Sequence, residues 1–155
     1  MISEEIEELL ILLEKIEKTI SKIYGTFAID ESFTDEARSF WTMMMEAEIE
    51  HAALFKNIRE EAKRKEDVQI ELNFDMDYLL RSYEEIKNIQ KTITVDNVPE
   101  KKAYAIASQI EENLYEYSYI KRVKSNDKEI MKIIEKVDED TRQHYYLLHN
   151  YSLDE

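Results

Sequence analysis

The chain contains no cysteine, and among its 155 residues only one glycine and one proline. Without thiols it forms no disulfide, no thiolate zinc site and no iron–sulfur cluster. Gly25 and Pro99 alone leave little for tight turns or hairpins, so an all-α fold is expected. Positive charge is also scarce: 21 basic residues face 35 acidic ones, a formal net charge of −14. Such a surface repels phosphate, which argues against nucleic acid and against an anionic membrane face as partners. No apolar run approaches the roughly 20 residues needed to cross a bilayer. The opening stretch, Met1 to Leu10, is acidic where a secretory signal is basic, and the expectation is a cytoplasmic protein.

What the chain has in quantity is Glu, Lys, Ile, Leu and Tyr, spaced with a helical period. Its length suits a single domain over 1–155. The spacing predicts a first helix from about Ser3 to Phe27, with Ile6, Leu9 or Leu10, Leu13, Ile16, Ile20, Ile23 and Phe27 turned inward. Thr34 has the character of an N-cap, with Asp35 and Glu36 at the positive end of a second helix that runs to about Lys65. The pattern lapses between Glu66 and Phe74, and Asp75 caps a shorter helix ending near Thr92. Pro99 suits the first turn of a third long helix, expected to reach about Val123. Ser125 and Asn126 restart the chain, and the fourth long helix reaches about Tyr151. Helix pairs over about 3–65 and 99–151, joined by a crossover over about 66–98, describe a ferritin-like four-helix bundle with an extra short helix between helices 2 and 3.

Two inner stripes are interrupted at their midpoints. On the second helix the stripe is Ala37, Trp41, Met44, Glu48, His51, Phe55, Ile58 and Ala62, apolar except for Glu48 and His51. On the fourth it is Ile130, Ile134, Val137, Thr141, His144, Leu148 and Tyr151, interrupted by Thr141 and His144 at the same three-residue step. Glu17 precedes His51 by 34 residues and Glu111 precedes His144 by 33, a register-matched repeat. Glu14 lies one turn from Glu17 on the same face and remains an alternative, whereas Glu112 points about 100° away from Glu111. Thr141 stands where a second Glu-x-x-His would carry its carboxylate; Asp138 one turn earlier and the adjacent Asp140 are the alternatives, neither as well placed as a glutamate at 141.

An ionised carboxylate buried without a partner costs several kcal/mol, and three together repel one another. A domain with about 5–15 kcal/mol of total stability cannot carry that uncompensated. A pair of divalent cations neutralises the charge, and oxygen plus imidazole donors suit iron or manganese. Bridging glutamates would span the pair, with one histidine terminal on each ion.

The string Glu48-Ile49-Glu50-His51-Ala52-x-x-Phe55, together with the two long separations, resembles the rubrerythrin-like branch of the ferritin-like di-iron carboxylate proteins. The resemblance covers nearly the whole chain, least clearly over 66–98. It implies that Glu17, Glu48, His51, Glu111 and His144 ligate two iron (or manganese) ions. It implies a peroxide- or oxygen-reacting oxidoreductase of peroxidase or ferroxidase type, and a homodimer. With no cysteine in the chain, electrons must come from a separate donor protein. The family has a second Glu-x-x-His on the fourth helix, and Thr141 departs from it, leaving the second metal position weak or empty.

Two rival readings stand beside this one. A bundle that has lost its metal would serve as an interaction or scaffold module, with Arg122 or Arg142 neutralising the carboxylates. Iron storage would need a hollow multi-subunit shell, and no fifth helix is legible after His144. Met43, Met44 and Met45 read as core filler, because Met43 and Met44 fall on different sides of the helix. The tyrosines at 115, 117, 119, 145 and 146 read as packing, and Tyr24 is the better placed for a relay.

Overall fold

A computed structural model describes residues 2–73, 75–114 and 123–153. The described chain is mostly helical: α1 (Glu4–Ala28), α2 (Asp35–Arg64), α3 (Met76–Val95), α4 (Glu100–Gln109) and α5 (Lys128–Leu153), with short strands β1 (Ile70–Leu72) and β2 (Val123–Ser125). The helix starts follow from local chemistry. The Ser3 hydroxyl accepts from the Ile6 amide, Thr34 from Ala37 and the Asp75 carboxylate from Asp77, each satisfying a donor the first turn leaves open. Asp35 and Glu36 sit in the first turn of α2, and Lys63 and Arg64 in its last, both complementary to the helix dipole.

α1 lies against α2 and carries α3 on another flank, while α5 packs against α2 and α4. The apolar stripes meet in one core that includes Leu10, Leu13, Ile16, Ile20, Trp41, Phe55, Ile58, Ala107, Ile110 and Ile130. At one end an aromatic cluster closes it, with Trp41 in ring contact with Tyr24, Phe27, Phe40 and Tyr104. Gly25 lets α2 come close: a β-carbon there would stand 3.1 Å from the Met45 sulfur. Met44 is fully buried and Met43 partly exposed, in keeping with a packing role.

Two expectations need correction. The third long helix does not run unbroken to about Val123. α4 passes into a π-helical turn over Ile110–Leu114, residues 115–122 lie outside the described part, and Val123 belongs to β2. The lapse over 66–74 also holds structure, because β1 pairs antiparallel with β2, Ile70 opposite Ser125 and Leu72 opposite Val123. Val123 and Ile70 are both buried, and β-branched side chains suit that pleated contact. Asn126 accepts from the Gln69 amide at 2.8 Å and donates to the Asp67 carbonyl at 2.9 Å, fixing the crossover to the start of α5. Asp127 caps α5: its carboxylate accepts from the Glu129 and Ile130 amides. Lys65, just past α2, also reaches Asp127 at 3.0 Å.

Candidate metal centre

The buried stripe of α2 is the one the spacing predicts. Ala37, Trp41, Met44, Glu48, His51, Phe55, Ile58 and Ala62 are all buried, so the polar pair sits in the middle of a dry helix face. α1 contributes Glu17, one turn from Leu13 and Ile20, with no solvent exposure. α5 contributes Thr141 and His144, both buried, between Val137 and Leu148. Glu111 is buried inside the π turn that follows α4, while Glu112 is exposed, in agreement with the periodicity. Single π turns recur where a side chain must be aimed at a functional position.

His51 is the centre of the geometry. Its Nδ1 faces Glu48 Oε2 at 3.7 Å and Glu17 Oε2 at 3.9 Å, and its Nε2 faces Asp140 Oδ2 at 3.6 Å. These separations exceed hydrogen-bond length, so a fully buried imidazole has neither ring nitrogen hydrogen-bonded. His144 Nδ1 stands 3.8 Å from the other Glu48 oxygen, and the two imidazole centroids lie 5.5 Å apart. Glu48 therefore lies between the histidines, one oxygen toward each. Glu111 Oε1 accepts a 2.7 Å hydrogen bond from the buried Tyr24 hydroxyl.

Charge accounts for the titration of the pair. Burial works to lower the pKa of His51, yet Glu48, Glu17 and Asp140 outweigh it and raise it to about 10. Burial, reinforced by a protonated His51, pushes His144 down to about 4. The opposite shifts mean that, in the metal-free site, His51 takes a proton in preference to His144.

The donor atoms of Glu17, Glu48 and His51 all lie within 4.8 Å of one another, and this group can hold a metal ion. Bonds of about 2.0–2.2 Å allow two ligands of one ion to stand up to roughly 4.2 Å apart, and the 3.7 and 3.9 Å separations fall inside that limit. Asp140, outside that group, faces the far ring nitrogen of His51 at 3.6 Å.

The alternatives left open by spacing separate cleanly. Glu14 is also buried, but it pairs with Arg59 and Lys18 at 3.1 Å each, so Glu17 is the carboxylate that faces His51. Asp138 pairs with Arg142 at 3.1 Å, and that arginine is half-exposed. Arg122 and the tyrosines at 115, 117 and 119 fall outside the described residues. Tyr146 is exposed, and Tyr145 donates its hydroxyl to Glu112 at 3.4 Å while its ring lies against Tyr146 and His149. Sequence spacing missed the π turn. Of the two carboxylates it left open on α5, Asp140 is the one that faces His51.

Among the described residues no helix is long and apolar enough to cross a membrane. Comparison with protein-family models, with curated proteins and with solved structures found no match.

Proposed function

We propose that the chain is a ferritin-like metal-carboxylate protein of rubrerythrin type, with iron or manganese held by Glu17, Glu48, His51, Glu111 and His144. The observation that carries this reading is His51. It is a wholly buried imidazole with no hydrogen bond at either nitrogen, facing two buried glutamates at coordination spacing. A core built only for stability would fill that position with an apolar side chain, as the α2 stripe does on either side of Glu48 and His51. Mixed carboxylate and imidazole donors suit iron and manganese. Bound reduced iron would supply electrons to peroxide or oxygen, and a separate electron-donor protein would restore them.

The chain's own residues set the conditions for that chemistry. Leu13, Ile16, Ile20, Met44 and Phe55 keep water from the carboxylates, which strengthens every charge interaction among them. Glu48 presents one oxygen to His51 and the other to His144, which supports a role for it at the centre of the site. Asp140 faces His51, and the Tyr24 hydroxyl holds Glu111. A second copy of the chain is the expected partner in a homodimer.

The test is anaerobic loading with Fe(II), removal of unbound metal, and addition of peroxide. Retained iron that peroxide oxidises within the protein is the expected result; a chain that retains no metal defeats the proposal. A second reading, a metal-free scaffold, draws on Thr141, which stands where a ligating carboxylate would. His51→Leu separates the two. The scaffold reading predicts unchanged or higher stability with no metal to lose, and the metal reading predicts that bound iron disappears.

A further inference from the structure

Resting on that proposed function, we infer that the site holds one resident divalent cation per chain, between Glu17, Glu48 and His51, and that Thr141 sets this number. The two halves of the site are unequal in donors. The α1–α2 half has two carboxylates and an imidazole, all fully buried with their donor atoms mutually within 4.8 Å. The half facing α5 has His144, with the far oxygen of Glu48 at 3.8 Å from its Nδ1. The carboxylates of α5 are engaged elsewhere. Thr141 fills the inward position with a neutral hydroxyl. Asp138 is engaged by Arg142, and Asp140 points at His51 Nε2.

Donor geometry leads to the same count. Among the described residues, Glu17, Glu48 and His51 are the one group of three whose donor atoms converge, and His144 is not part of it. A second ion beside His144 would find too few converging donors, so it is bound far more weakly. A glutamate at 141 would supply the missing donor one turn from His144, on the same helix face.

The experiment titrates the full-length chain with Mn(II), following unbound ion by its EPR signal and bound ion by elemental analysis after gel filtration. We expect about one retained ion per wild-type chain, about one in Thr141→Ser, and about two in Thr141→Glu. Two equally tight ions in the wild type, or a folded Thr141→Glu that stays at one, would overturn the inference while leaving the metal-carboxylate reading intact. No retained ion in wild type or variant overturns both. Should Thr141→Glu fail to fold, anomalous scattering from wild-type crystals soaked in Mn(II) decides. One peak beside His51 supports the inference, and a second peak of equal height beside His144 overturns it.

Discussion

The Tyr24 hydroxyl and the Glu111 carboxylate meet at 2.7 Å across 87 residues of sequence, joining α1 to the π turn that follows α4. Both side chains are buried, so this bond fixes a charged group within the core rather than on its surface. Hydrogen bonds to buried charged groups contribute about 1.5–3 kcal/mol. Tyr24→Phe should therefore lower unfolding free energy by about that amount, read as a reduced urea midpoint at unchanged slope. An unchanged midpoint would mean that Glu111 does not depend on Tyr24.

Removing one negative charge from the centre tests its cation. Glu17→Gln keeps the shape of the side chain and removes an anionic donor beside His51. A cation at 100 times its dissociation constant raises stability by about 2.7 kcal/mol. The wild-type chain should thus show a rise in Tm on adding Fe(II) or Mn(II), and Glu17→Gln should show little or none. Equal shifts in both proteins would place the responsible ion elsewhere.

The metal-free protein should become less stable at alkaline pH. His51 has a folded-state pKa near 10 against an ordinary 6.5: burial lowers it, and Glu48 from its own helix, Glu17 from α1 and Asp140 from α5 together raise it further. Its stabilising contribution is complete below about 6.5 and is lost as pH rises through about 10. His144 has the opposite sign: its contribution is present above about 6.5 and lost as pH falls through about 4. Urea midpoints measured from pH 7 to 10 should fall in the metal-free protein and fall less in the loaded one, where the metal has displaced the His51 proton. Parallel slopes would contradict this.

Packing around the centre is a separate matter from ligation. Trp41 is fully buried and touches Tyr24, Phe27, Phe40 and Tyr104. Trp41→Ala should cost about 3–5 kcal/mol, seen as a lower midpoint in urea with or without metal. Trp41→Phe should cost much less, since most of the contact survives.

How much of this was legible depended on the reach of each interaction. The α1 and α2 boundaries and the buried stripe through Glu48 and His51 follow from period and capping, which are local, and they appear where the spacing puts them. The break after Gln109 was not legible, because a π turn inserts no signature residue and the run from Glu100 onward keeps a helical look. β1 and β2 were missed for a related reason: three-residue strands pair across more than fifty residues, and neither is long enough to show alternation. The choice of Glu17 over Glu14 needed the position of Arg59 on a neighbouring helix. Likewise, the inward turn of Asp140 depends on where α5 lies against α2, which helical period alone does not specify.

The most direct measurement is anomalous diffraction above and below the iron edge from crystals grown with Fe(II) under anaerobic conditions. The account predicts a strong iron peak within coordination distance of Glu17, Glu48 and His51. Density confined to surface carboxylates, with the space between those three side chains empty of metal, would contradict it.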